Sequence, residues 1–389
     1  MFRTLVIGCL ACLMVATRAW PAGTVQVPVL YIKQQVERPP VLSNLDDIPA
    51  DEGLAGARLA VKDSNTTGRF TGQQFSLREL AFEAAADPGE IIGQLQAAEE
   101  HFVILDLPAA TLEALLRADP GGKRLLFNVA APDDRFRTEL CRNDLLHTLP
   151  SRAMLADALS QYLVKKRWTR WLLIEGSLAG DKLFADAIRR SAAKFGAKIV
   201  GHKVWDGARD ARRTAQAEVP RLTQGVEYDV LIVADEWGDF GEYLMYRTWE
   251  PRPVAGTQGL FATAWYRTIE QWGASQLQAR FGKAAGRPMG ARDYAAWAAL
   301  RSISEAAIRG GSAEPAMIGA YIQSPEFELA AYKGRKLSYR PWSGQLRQPI
   351  ALSAARSLVT QSPQEGFLHR ESELDTLGFD RPEIQCKRS

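Results

Sequence analysis

The apolar positions along this chain follow two periods that alternate. Compact runs rich in branched or aromatic side chains predict buried strands at Val25 to Ile32, Phe102 to Leu105, Arg124 to Val129, Trp171 to Ile174 and Lys198 to Val204. The clearest is the run DVLIVA, Asp229 to Ala234. Between these runs, apolar residues spaced three and four apart predict helices over Gly53 to Asp63, Pro88 to Ala98, Thr111 to Ala118 and Asp181 to Phe195. Another helix follows Ser151, with Leu155, Ala158, Leu159, Tyr162 and Leu163 on one face. Ser151 is a suitable N-cap, and Gly196 a suitable stop. The first part reads as β-α-β-α-β-α-β, an order that implies a further strand between Asp63 and Pro88, where no compact apolar run marks it. Two further helices are expected near Ile269 to Phe281 and Asp293 to Arg309. From Lys333 to Ile350 the pattern turns polar and strand-like, and the last thirty or so residues show little periodicity. Strand and helix alternating in this way predict an α/β protein with two doubly wound parallel sheets.

The first residues have a different character. Met1-Phe2-Arg3 is followed by the uncharged, mostly apolar stretch Thr4 to Thr17, then by small residues suited to cleavage after Ala19 or Ala22. That is the pattern of a secretory signal peptide over residues 1–22, with an apolar run too short to span a bilayer. The expected location is therefore the periplasm. Export allows Cys141 and Cys386 to form a disulfide.

Composition narrows the function. The 48 basic residues stand against 45 acidic ones, and loss of Arg3 and Arg18 with the signal would leave 46. A chain so balanced does not bind nucleic acid through charge. The four histidines (His101, His147, His202 and His369) are scattered, and neither G-x-S-x-G nor H-E-x-x-H occurs. No enzyme activity and no cofactor are expected.

Particular segments resemble a known family. Gly53 to Asp63 (GLAGARLAVKD) is similar to the first helix of the binding proteins that serve branched-chain-amino-acid ABC transporters. His147 to Arg152 (HTLPSR) is similar to their hinge segment, and the Gly256 to Gly259 turn falls where a later hinge falls. The resemblance implies a type I periplasmic binding protein, with two lobes joined by a multi-strand hinge. It implies a first lobe of residues 23–149 plus 254–325, a second of 150–253 plus 326–360, and a C-terminal tail of 361–389. Four stretches, Asp157 to Leu163, Tyr228 to Glu236, Tyr246 to Leu260 and Leu374 to Phe379, resemble one branch of that family, associated with PQQ-dependent alcohol dehydrogenase systems. This branch implies a monomer that captures a small-molecule solute and delivers it to an inner-membrane ABC permease. The solute would be an alcohol-derived compound, PQQ or the dehydrogenase's metal. The alternative is a periplasmic sensor or accessory partner of a PQQ-dependent alcohol dehydrogenase, without transport.

Ligands of open α/β sheets bind beyond the carboxyl ends of the strands. That rule selects Asp106, Asn128, Asp181, Asp235, Glu236 and Gln258, with Trp237 and Trp265 as stacking surfaces. Asp106 has a second reading as a cap for the following helix. Asp235, Glu236, Asp239 and Glu242 form a carboxylate group that could hold a hard cation, although their spacing is not that of an EF-hand. The loop Asp106 to Thr111 contains Pro108, which has no amide hydrogen, where the family places the amides that hold an amino-acid carboxylate. A branched-chain amino acid is therefore not the expected ligand.

Overall fold

The computed structural model describes residues 23–37, 48–205 and 215–386. The signal peptide expected over residues 1–22 lies outside the described residues.

The first sheet is built from β1 (Val25–Gln34), β2 (Gln73–Phe82), β3 (Phe102–Asp106), β4 (Leu125–Asn128) and β5 (Leu145–His147), in the order β2-β1-β3-β4-β5, all parallel. Its crossovers are α1 (Leu54–Thr71), α2 (Pro88–Ala97), α3 (Ala109–Ala118) and the short α4 (Arg135–Thr138). Strand β2 is an edge strand with a largely alternating burial pattern, and half of its residues are polar. A half-solvated edge needs no continuous apolar run, so its sequence carries little strand signal.

The second sheet has seven strands. After α5 (Arg152–Lys165) come β6 (Arg170–Glu175), α6 (Ala179–Phe195), β7 (Lys198–Val204), α7 (Ala215–Thr223), β8 (Val230–Ala234), α8 (Gly241–Leu244), β9 (Val254–Gly256) and β10 (Leu260–Thr263). The chain then returns to the first lobe for α9 (Ala274–Ala285), α10 (Ala291–Gly310) and α11 (Pro315–Ile322). A small sheet of β11 (Leu329–Ala330), β12 (Lys336–Tyr339) and β13 (Leu346–Arg347) follows, and β14 (Ile350–Ala354) and β15 (Ser357–Ser362) close the second sheet in the order β15-β14-β10-β9-β8-β6-β7. Ser151 caps α5 by accepting from Met154 N at 3.3 Å, and Gly196 ends α6 in the left-handed conformation.

This topology moves the expected lobe boundaries. Residues 254–263 are expected in the first lobe, but β9 and β10 are hydrogen-bonded to β8 and β14 in the second sheet. Residues 326–349 are expected in the second lobe, but Phe327, Leu329, Leu337, Tyr339 and Leu346 pack in the first lobe's core. Parallel neighbours such as β8, β9 and β10 leave no local signal of the sheet they join; only pairing decides it. Up to residue 362 the chain therefore passes between the lobes three times, near residues 148–151, 263–265 and 348–350.

The tail is also placed. Asp375 is buried against Arg340 and Arg347, at 2.7 and 2.9 Å, and Leu377 enters the second core. Asp157 on α5 accepts from Gly378 N at 2.8 Å and pairs with Lys194. Further on, Gln385 N and Cys386 N donate to Thr138 O in the first lobe, and Cys386 is disulfide-bonded to Cys141, with Cα atoms 6.0 Å apart.

Candidate functional site

The carboxyl ends of both sheets open on one cleft of about 630 Å³, within the range of small-molecule sites. The first lobe lines it with the loop after β3 (Asp106 to Ala109), the loop after β4 (Ala130 to Asp133) and Arg292 at the start of α10. The second lobe contributes Gly180 and Phe184 of α6, Asp235 to Trp237 after β8, and Gly256 to Gln258 after β9. Hinge residues Leu149, Pro150, Arg152 and Ala262 to Ala264 form its back. Most of these side chains are apolar.

Asp106 is 2% exposed. Its Oδ2 accepts from the Tyr31 hydroxyl at 2.9 Å and lies 3.4 Å from Lys33 Nζ, while Oδ1 lies 3.6 Å from Arg292. Burial, and then the Asp106 charge, push the Tyr31 hydroxyl well above its usual range, so it remains a donor. Asp106 does not cap α3, whose N-cap is Pro108. It belongs to a charge cluster in the cleft floor.

Asn128 is fully buried. Its amide donates to Ala131 O at 2.8 Å and lies 3.1 Å from His147 Nδ1, and its oxygen accepts from Ala130 N and Ala131 N. It braces the loop and does not line the cleft, so the structure does not bring it to the site. Asp181 also stands behind the surface: its oxygens accept from Glu236 N at 2.8 Å and Leu178 N at 3.1 Å. Burial, reinforced by Asp235 and Glu236, pushes its carboxyl up to about 6 against the two hydrogen bonds.

Asp235 reaches the cleft wall, but its carboxylate accepts from Asp239 N, Phe240 N and Gly241 N at 2.7–2.9 Å and so fixes the loop before α8. Glu236 forms a bidentate pair with Arg152, both bonds 2.7 Å. Arg152 also donates to Asp133 Oδ2 at 2.9 Å. Since Asp133 is in the first lobe and Glu236 in the second, Arg152 spans the hinge. Burial alone would lower the Arg152 pKa, but the two carboxylates outweigh it and the net shift is upward.

Trp237 is half-buried in the cleft wall, and Gln258, half-buried in the turn after β9, lines the same cleft. Trp265 is not at the site. It is 1% exposed and stacks on Tyr294, with centroids 4.6 Å apart, inside the first core. The carboxylate group proposed as a cation site does not assemble. Asp235 is engaged by backbone amides and Glu236 by Arg152, and among the described residues no three His, Cys, Asp or Glu side chains converge.

Three participants escaped the sequence reading: Arg152, Asp133 and Arg292. Arg292 sits on the first turn of α10, placed by Asp293. That residue accepts from Gly290 N at 2.9 Å and from Gly53 N at 2.8 Å, joining the starts of α10 and α1. An arginine at a helix start has no pattern that separates a cleft residue from a solvated one.

Residues 47–217 match the model of a protein family described as periplasmic binding protein. None of the curated proteins compared with the chain matches it. The structure is similar to a branched-chain amino acid ABC transporter periplasmic ligand-binding protein from Burkholderia xenovorans (16% identity, TM-score 0.68, covering 87% of this chain and 95% of that one). It is similar to an ABC transporter solute-binding protein from R. palustris in complex with benzoate (13%, TM-score 0.64, 88% and 98%). A third is a branched-chain amino acid transporter substrate-binding protein from Streptococcus pneumoniae in complex with isoleucine (14%, TM-score 0.64, 87% and 98%). The chain has the periplasmic binding protein fold. Within that fold, the cleft lies where two sheets present their carboxyl ends to each other. Among the described residues no helix is long and apolar enough to cross a membrane.

Proposed function

We propose that this protein is a non-catalytic periplasmic solute-binding protein that delivers a small molecule to an ABC transporter in the inner membrane. The observation that carries the proposal is the cleft of about 630 Å³ formed by both lobes and lined at the hinge. Lobes joined in this way can close on a solute. The fold and the family match over 47–217 support the reading.

The branch resemblance extends it: the solute is tied to PQQ-dependent alcohol oxidation. Two of the branch stretches meet in the structure, where Asp157 accepts from Gly378 N. The apolar walls favour an alcohol-derived small molecule over a metal ion or the tricarboxylate PQQ.

The test is native mass spectrometry of the protein purified from its own periplasm, with identification of whatever leaves on denaturation. A stoichiometric small molecule is expected. An empty protein whose melting temperature no solute in a broad library raises overturns the proposal, because a ligand of the native state must stabilise it.

A further inference from the structure

The polar side chains of the cleft differ in how fully they are engaged. Glu236 and Asp133 pair with Arg152, Asp235 is taken by three amides, and Asp106 by Tyr31 and Lys33. Gln34 donates to Ala84 O and Ala86 O and accepts from Thr111, while Thr257 accepts from Asp235 N and donates to Val233 O. Two groups stand apart. Among the described residues, neither the Arg292 guanidinium nor the Gln258 amide makes a hydrogen bond. Arg292 has only charge contacts, 3.6 Å to Asp106 and 3.7 Å to Glu52. They belong to opposite lobes, Arg292 to the first and Gln258 to the second.

We infer that the ligand is a small hydrophobic monocarboxylic acid without an ammonium group, held by Arg292 and reached across the cleft by Gln258. This rests on the solute-binding reading above. A guanidinium offers a planar pair of N–H donors matched to a carboxylate, and a half-buried one gains more from an anion than one in open solvent. An ammonium would need a carboxylate acceptor, and those in the cleft wall are already paired or bonded. The Asp106 charge does not bar an anion, because Lys33 and Tyr31 face it from the other side. Phe184, Phe261, Leu183 and Trp237 supply a surface for an apolar body.

The experiment is calorimetry on the mature protein, stripped of bound solute by unfolding and refolding. The probes are benzoate, phenylacetate, 3-methylbutanoate and hexanoate, the amide and primary alcohol of each, and phenylalanine and leucine. At least one acid is expected to bind ten times or more tighter than its amide, its alcohol and either amino acid. Arg292→Gln should weaken it at least tenfold and Gln258→Ala severalfold, with melting temperatures unchanged. An amide, alcohol or amino acid binding as well as the acids overturns the inference, as does full-strength acid binding by Arg292→Gln. Binding confined to library solutes outside the acid class also overturns it, and leaves the solute-binding reading standing. Silence across panel and library removes both.

Discussion

The ammonium of Lys333 donates to Gln348 Oε1 at 2.8 Å, at the place where the chain passes between the lobes. The same ammonium donates to Ala264 O and Pro349 O, and the Gln348 amide donates to Thr148 O at 2.7 Å. One buried network thus joins all three hinge passages. With no carboxylate beside it, burial pushes the Lys333 pKa well below its usual value. Lys333→Met removes donors from three acceptors but also removes a desolvated charge, so the two effects on stability oppose each other. The melting temperature should therefore move by no more than ~4 °C. Amides near residues 148, 264 and 349 should exchange markedly faster, as hydrogen-exchange mass spectrometry would show. Unchanged exchange there would mean that the network does not restrain the hinge.

Arg152 is another link between the lobes. Arg152→Ala leaves Asp133 and Glu236 without their cation. Removing one member of a buried pair costs about 3–5 kcal/mol, so the urea midpoint should fall clearly. Arg152→Lys should recover only part of the loss, because an ammonium cannot hold Glu236 in two parallel bonds.

Asp181 predicts a pH dependence. Its folded pKa, about 6, lies above the ordinary aspartate value. The native state therefore holds its proton more tightly than the unfolded chain does. The stabilisation is complete below about pH 4 and is lost as pH rises through 6, amounting to roughly 1–2 kcal/mol once solvent in the open cleft is allowed for. Between pH 4.5 and 7.5 the wild type should lose more stability than Asp181→Asn. Parallel curves for the two proteins would contradict the assignment.

Gly53 has φ +83°, and a Cβ there would sit 2.4 Å from the Tyr31 hydroxyl and 2.9 Å from Asp106 Oδ2. Gly53→Ala should therefore destabilise by about 1–3 kcal/mol through backbone strain and a displaced Asp106. Thermal denaturation checks the first effect, and weakened binding of the cleft's ligand checks the second.

Much of the architecture is legible from pattern alone. Val230 to Ala234 are buried on both faces and so read as a continuous apolar run, while Ser151 and Gly196 mark helix ends by their own chemistry. Glu236, Gln258 and Trp237 follow from the strand-end rule. That rule identifies which residues end near a cleft and not which way their side chains turn. Asn128 turns back into its loop, and Trp265 enters the core. Arg152, Asp133 and Arg292 acquire meaning only through partners 84, 19 or 186 positions away along the chain, which no local window contains.

The tail also changes the covalent topology. With Cys141 and Cys386 joined, residues 141–386 form a closed ring, and every strand of the second sheet lies inside it. Both ends of the ring are fastened to the first lobe. A single protease cut anywhere within the ring therefore severs the backbone without releasing a fragment. The nicked molecule would differ from the intact one by a single added water, run as one species without reductant, and separate into two pieces only when reduced.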